Sequence, residues 1–405
     1  ELRELEFRVL QLLYDNLQLQ FMNILDIIKV RPEQFYGIEI EDFPCQIANV
    51  SMILMKHLMD QEVSNYFGVN LIDFPIRDNA NIVRANALRL DWNEVVPAAE
   101  LDYIMGNPPF NGARTMSAEQ KSDLLHVFGG LKNVGNLDFV TPWYKKSADI
   151  MDSNPAIQTA LVSTNSIVQG DQAGILWEYM FERKFQINYA FRTFKWTNAA
   201  KGKAAVHCVI LGFGKTGFSG KQKRIFDSSG EHLVTQINQY LVEAPKVIIR
   251  SRSHPISDVP EIGIGNQPID GGNFLFTKLE MQDFIAKEPG SEKYFRPWYG
   301  AEEFIDRKPR YCLFLGSVLP SEIKQLPLVI NRVKEVRDLR LLSPRHSTRK
   351  LADFPTKFQT TNVQNSTYLI IPETSSENRE YIPIGFLDKN CLASNAVRIL
   401  PNATQ

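Results

Sequence analysis

The residues of this chain best placed to do chemistry stand in one run, Asp102-Tyr103-Ile104-Met105-Gly106-Asn107-Pro108-Pro109-Phe110. A short apolar strand leads straight into Asn-Pro-Pro-aromatic. The first proline lacks a backbone donor and keeps the residue before it out of the helical region. Asn107 is thereby held extended or in a turn at the carboxyl end of a strand. In open α/β sheets that is the end where ligands bind. The side-chain oxygen of Asn107 and the main-chain oxygen of Pro108 can then face one point, and two acceptors at one point suit a planar NH2 group. Phe110 follows closely enough to stack on the ring that carries such an amine. The chemistry served is nucleophilic attack by an amine whose lone pair is otherwise delocalised. Asn-Pro is also a common turn dipeptide, which leaves a simple strand-ending turn as the alternative.

The elements around this run supply a setting. Leu2, Leu5, Phe7, Val9, Leu12, Leu13, Leu17 and Phe21 recur near helical spacing, predicting one amphipathic helix from residue 1 to about 30. The segment 35–40 predicts a short strand ending at Glu39, followed by a helix from Pro44 to about Asp60 with Ile47, Val50, Ile53, Leu54 and Leu58 inward. A carboxylate after such a strand accepts hydrogen bonds from ribose hydroxyls in dinucleotide-type folds; a surface acid beside Glu41 and Asp42 is the alternative. Residues 61–80 connect to a strand at 81–88 that ends in a polar turn containing Asn86. An amide both donates and accepts, as the edge of an adenine requires, and an ordinary turn asparagine is again the alternative.

Downstream of the opening run, residues 111–121 form a polar loop suited to a lid. A helix starts near Leu137, and further strands are expected at 159–167, 187–191 and 204–213. Between the last two lies an aromatic loop, Phe194-Lys195-Trp196-Thr197-Asn198. Strands alternating with helices predict a mostly parallel sheet covered on both faces, with an antiparallel edge pair at its end.

With 405 residues, more than one domain is expected. Glycine, serine and lysine crowd 212–230, and we place a boundary there, giving units 1–218 and 219–405. Beyond it prolines and short strands dominate (246–250, 273–276, 310–315, 366–371), with one basic helix from about Ser321 to Arg340. A formal net charge of -1 gives no global sign of a polyanionic partner, so any basic surface must be local. Residues 324–357 supply one, with nine lysines and arginines against three acids. Such a stripe fits a phosphate-contacting face; a solvated helix is the alternative. Candidates for reading base edges lie between Arg345 and Asn365: Arg345, Arg349, Lys357, Gln359 and Asn362.

Cys45, Cys208, Cys312 and Cys391 are far apart and form no CxxC, which argues against a zinc site or a disulfide framework and fits a reducing cytoplasm. No apolar run approaches the roughly 20 residues of a membrane span. The chain opens on Glu1-Leu2-Arg3 inside a helical pattern, so an upstream part is expected.

Acid after a strand, Asn after the next, Asn-Pro-Pro-Phe after the next: this order resembles the class I S-adenosylmethionine-dependent methyltransferases that act on adenine amino groups in DNA. The second half sharpens it. Segments 268–274, 295–304, 310–313 and 375–383 are similar to those of the MmeI-like single-chain restriction–modification enzymes. The resemblance implies an α/β, Rossmann-like methyltransferase sheet, incomplete at its N-terminus, followed by an α+β target-recognition domain. It implies S-adenosyl-L-methionine as cofactor, double-stranded DNA as partner and no metal. Glu39 would hold the cofactor ribose, and Asn86 with the backbone of Ala87 would meet its adenine. Asn107, Pro108 and Phe110 would hold the target base, with Phe194 or Trp196 on its other face. No glycine-rich loop precedes Phe35, so the cofactor loop, like a nuclease region, would lie upstream. Two rivals remain: methylation of another planar amine (cytosine, an RNA base, a glutamine side chain), and a non-catalytic DNA-binding specificity module.

Overall fold

The computed structural model describes residues 1–14, 27–68, 80–196, 206–218, 220, 222–250, 252, 254–316, 318–376 and 379–403. The chain divides into two compact units, Glu1–Ser251 and Arg252–Gln405.

The first unit opens with helix α1 (Leu2–Tyr14). The remainder of the predicted helix, with Leu17 and Phe21, lies outside the described residues. Strands β1 (Tyr36–Glu39) and β2 (Asn81–Arg84) pair in parallel, Glu39 opposite Arg84. Helix α2 (Asp42–Phe67) joins them and runs a full turn and more beyond the predicted end. It stops at Gly68, whose φ of 66° is the left-handed conformation glycine adopts freely. The face of α2 predicted to be inward is largely outward, since Ile47, Val50, Leu54 and Leu58 are exposed. Met59 and Val63 are buried instead, Val63 against Leu10 and Ile28. On the same side of α2, Asp60 takes an ion pair from Arg3 of α1 at 2.5 Å and one from Lys56 of its own helix at 2.9 Å. On α1 likewise Leu10 is buried, while Leu2, Leu5, Val9, Leu12 and Leu13 are exposed.

A six-stranded sheet follows. Its strands are β3 (Tyr103–Gly106), β4 (Gln158–Thr164), β5 (Phe185–Trp196), β6 (Val206–Lys215), β7 (Lys223–Asp227) and β8 (Gly230–Val234), in the order β3-β4-β6-β5-β7-β8. Helices α3 (Ala118–Phe128), α4 (Thr141–Ser153) and α5 (Gly170–Glu182) connect the early strands. Strands β3 and β4 run parallel, Gly106 opposite Leu161. The late pair β5–β6 is antiparallel, as its short separation requires. It does not sit at the edge, however: β6 inserts between β4 and β5, and β7 and β8 extend the sheet further. Antiparallel pairing therefore accounts for three of the five neighbouring pairs, more than the alternating pattern predicted. The sheet also runs past residue 218, where the sequence suggested a boundary. Segment 246–250 carries no strand; Arg250 is paired with Glu178 of α5, and Lys246 Nζ lies 4.4 Å from the Phe181 ring. The core between α4, α5 and the sheet is aromatic: Tyr144 stacks on Phe213 at 5.2 Å, and the indole N–H of buried Trp177 donates to the Ile167 carbonyl.

The second unit has two four-stranded sheets. One is built from β10 (Leu275–Phe276), β11 (Phe295–Tyr299), β12 (Arg310–Leu313) and β15 (Leu392–Ala393), the other from β9 (Gly263–Ile264), β13 (Tyr368–Pro372), β14 (Gly385–Leu387) and β16 (Val397–Leu400). Helices α6 (Lys278–Lys287) and α7 (Ala301–Ile305) flank the first sheet's strands. The predicted basic helix is two helices, α8 (Pro320–Ile323) and α9 (Pro327–Leu341), because Pro327 starts a fresh helix rather than continuing one. A short α10 (His346–Leu351) follows.

Helix α9 is fixed at both ends by side chains. At its start the buried carboxylate of Glu288 accepts from the backbone N–H groups of Leu328 and Val329 at 2.9 and 3.0 Å, satisfying donors the helix leaves open. At its end Arg340, counted in the basic stripe from sequence, is fully buried. Its guanidinium donates to the carbonyls of Pro268, Ile269, Leu351, Phe354 and Lys357 at 2.7–3.2 Å. It therefore contributes packing rather than surface charge.

Candidate active site

Asn107 follows directly on β3, exposed, with Pro108 buried behind it and Phe110 half-buried. Among the described residues neither the Asn107 side chain nor the Pro108 carbonyl has a hydrogen-bond partner. Their neighbours are engaged. Asn111 N–H donates to Pro109 O at 3.2 Å, and the Asn111 carbonyl accepts from Phe139 N–H at 2.9 Å. Ala113 N–H donates to Asp138 Oδ1 at 3.0 Å. The predicted lid is shorter than expected, because Ser117 caps α3: its hydroxyl accepts from Gln120 N–H, and Gln120 Oε1 accepts from Ser117 N–H. Thr164, the last residue of β4, stands on the neighbouring parallel strand.

Glu39 ends β1. Its Oε1 accepts from Ile40 and Glu41 N–H at 2.9 and 3.1 Å, and its Oε2 carries no hydrogen bond among the described residues. Asn86, in the turn after β2, is committed within the fold. Its Oδ1 accepts from Leu88 N–H at 2.9 Å and its Nδ2 donates to buried Asp123 at 2.9 Å, with Arg89 on the other carboxylate oxygen at 2.6 Å. The Ala87 carbonyl accepts from the Trp92 indole at 2.9 Å, while its N–H has no partner among the described residues. Lys146 of α4 secures the same turn, its Nζ 2.6 Å from the Leu90 carbonyl and 5.7 Å from the Trp92 ring. Burial holds its pKa below the ordinary lysine value, against the pull of Asp91.

Phe194 and Trp196 belong to β5, not to a loop. They pair with Cys208 and Val206, and their rings lie 6.2 Å apart. Thr197 and Asn198 lie outside the described residues.

In the second unit Arg345, Arg349, Lys357 and Gln359 are exposed. Arg349 Nη1 donates to the carbonyls of Ser343 and Pro344, both at 2.8 Å. Lys357 Nζ lies 4.9 Å from the Phe354 ring. Asn362 differs: its Nδ2 donates to the Ile264 carbonyl at 2.9 Å and its Oδ1 accepts from Gln364 at 2.7 Å. These bonds tie it to β9 and to Gln364, and one N–H of its amide remains beyond them. Glu377 and Asn378 of the last resemblance segment lie outside the described residues.

Sequence reasoning passed over Asp138, Glu288 and the inward turn of Arg340. Asp138 did carry a signal, an acid inside the apolar run Leu137-Asp138-Phe139-Val140. Among the described residues no helix is long and apolar enough to cross a membrane.

Comparison with known proteins gives the family. Residues 1–227 match the family described as the MmeI DNA-methyltransferase domain, and residues 243–405 match the MmeI target recognition domain. A curated relative, DNA methyltransferase A of Bacillus subtilis (strain 168), is 38% identical over 407 residues, covering 100% of this chain and 46% of the relative. The solved structure of the Type IIL restriction-modification enzyme MmeI in complex with DNA is 44% identical, with a TM-score of 0.90, over 100% of this chain and 54% of that one. The chain thus spans about half the length of the relatives it matches. A DNA-methyltransferase family implies a methyl donor. With both domain models matched in order along one chain, this protein belongs to the MmeI family, carrying its methyltransferase domain and its target recognition domain.

Proposed function

We propose that this chain forms the methylating and sequence-reading part of a restriction–modification enzyme, transferring a methyl group from S-adenosyl-L-methionine to the exocyclic amino group of adenine in double-stranded DNA. The observation that carries it is the pair of uncommitted acceptors, Asn107 Oδ1 and Pro108 O, at the end of β3. A base within a duplex must be flipped out to reach such a site, at a cost of a few kcal/mol. Phe110 offers a stacking face worth roughly 1–3 kcal/mol. The two acceptors draw on the amine hydrogens, favour a more tetrahedral nitrogen, and stabilise the positive charge that develops as it attacks. One such preorganised partner is worth about 3 kcal/mol.

The residues present fit the methyl donor where they can be compared with it. Glu39 keeps one carboxylate oxygen for ribose hydroxyls, and the Ala87 N–H is open to a ring nitrogen. Asn86 positions that turn through Asp123, and one N–H of its amide remains for the adenine edge. The donor itself supplies a sulfonium-bound methyl. Phe194 and Trp196, at the end of β5, are the aromatic candidates for the second face of the base. Arg345, Arg349, Lys357 and Gln359 make up the DNA-facing candidates of the second unit.

The test is mass spectrometry of nucleosides from unmodified DNA incubated with the intact protein and labelled S-adenosylmethionine. N6-methyladenine is the expected product. Label in cytosine or in protein would replace adenine as substrate, and absence of any product would favour a DNA-binding module.

A further inference from the structure

We propose that Asp138 is the positioning residue for the target-base wall, setting the loop that follows Asn107–Phe110; the inference rests on the reading of that wall given above. Asp138 is 4% exposed. Its Oδ1 accepts from Ala113 N–H at 3.0 Å and from Gln172 Nε2 at 3.0 Å, and its Oδ2 accepts from the Thr164 hydroxyl at 2.8 Å. Gln172 Oε1 in turn accepts from the Asp138 N–H at 3.0 Å.

Three elements meet on this one carboxylate. Ala113 belongs to the loop after the Asn-Pro-Pro-Phe run. Thr164 ends β4, the strand hydrogen-bonded to β3. Gln172 lies in the first turn of α5. The adjacent Phe139 N–H binds the Asn111 carbonyl at 2.9 Å, so the loop is held to residues 138 and 139 at two points. The loop is thereby fixed in place beside Phe110.

All three donors to the carboxylate are neutral. A buried charge among neutral donors costs solvation that an apolar side chain of similar size would avoid. What the carboxylate supplies is direction, with three donors from three elements set toward two oxygens. An amide can reproduce most of this: Asp138→Asn keeps an oxygen for Ala113 and Gln172, and its NH2 can donate to the Thr164 hydroxyl, which accepts as readily as it donates.

The test uses the intact protein, unmodified plasmid DNA and tritiated S-adenosylmethionine. For Asp138→Ala, kcat falls about 100-fold, the scale of an ångström-sized misplacement, while KM for DNA and for S-adenosylmethionine stays within about threefold. Asp138→Asn recovers most of the rate. A kcat for Asp138→Ala within about threefold of the parent overturns the proposal, as does a failure of Asp138→Asn to recover rate despite an unchanged melting temperature. Where Asp138→Ala does not fold, Thr164→Val and Gln172→Leu each remove one donor. A lowered kcat in either supports the role, and unchanged kcat in both overturns it. Asn107→Ala, run in parallel, separates the two readings. If it methylates normally, the assignment of the wall is wrong; if it is inactive while Asp138→Ala is fast, only the role of Asp138 falls.

Discussion

Asn266 and Asn362 hold one another across 96 residues of chain: the Asn362 N–H donates to Asn266 Oδ1 at 2.7 Å, and Asn266 Nδ2 donates back to the Asn362 carbonyl at 3.3 Å. Asn266 is wholly buried and also binds the Ala393 carbonyl at 2.9 Å. The pair joins the chain after β9 to the segment that carries the DNA-facing candidates. Asn266→Ala leaves several of these groups unpaired, at about 1–3 kcal/mol for each buried one. Asn362→Ala strips the Ile264 carbonyl of its side-chain donor and is expected to lower the urea midpoint while leaving the sequence preference of the folded protein unchanged. A changed target sequence with normal stability would make Asn362 a base-reading side chain after all.

Asn107→Ala in the intact protein removes one of the two acceptors and is expected to reduce methyl transfer by about 100-fold or more, the loss seen when one preorganised partner is deleted. DNA affinity, measured by gel shift, should change little. Methylation at near-parental rate would show that the amine is held elsewhere.

Arg349→Glu and Lys357→Glu reverse charge at exposed positions of the basic stripe. If each neutralises a phosphate, binding weakens and the slope of log affinity against log salt becomes shallower by about one unit for every phosphate no longer neutralised. Titrations from low to moderate salt measure it. Affinity unchanged at moderate salt for both variants would leave the stripe a solvated face. Arg349 is already spent partly on Ser343 and Pro344, so its replacement should also loosen the start of α10.

Arg340→Met tests the buried guanidinium. It strips a donor from five carbonyls at once and is expected to cost about 3 kcal/mol or more. Chemical unfolding of the variant measures this, and a cost below about 1 kcal/mol would mean that water replaces the missing donors.

Asp227, the last residue of β7, is held well below the usual carboxylate range by the Ser229 hydroxyl and N–H and by the His232 ring. Its folded value lies below its unfolded value of about 3.9, so its contribution is fully present above that pH and is lost as pH falls through the folded value. Parent and Asp227→Asn proteins should therefore converge in stability as pH drops below about 4. A constant gap from neutral pH down to about 3 would rule out the linkage.

The chain gave up some of its structure readily. Prolines 108 and 109 and the apolar run before them placed Asn107 at a strand end, whereas the left-handed stop of α2 at Gly68 was missed. Strand order was hidden, because periodicity says which residues form β6 but not that it slips between β4 and β5. The buried face of α2 was hidden because apolar residues occur on both sides of it, and its partners there, Leu10 and Arg3, come from a different helix. Arg340 was hidden for a related reason: amid eight other cations nothing local distinguishes the one that turns inward. Residues that act through long-range backbone contacts leave no periodic trace.

Arg340 recognises its neighbours only by their carbonyl oxygens, and Glu288 recognises α9 only by its amide hydrogens. Every amino acid carries the carbonyl. The path of residues 351–357 is thus anchored at Leu351, Phe354 and Lys357 through groups that any substitution preserves. The exposed side chains of Asp353, Phe354 and Lys357 can be exchanged while that anchoring stays in place, whereas Ala352 is buried. A surface built this way separates the scaffold from what it displays, so its exposed side chains can vary without a new fold.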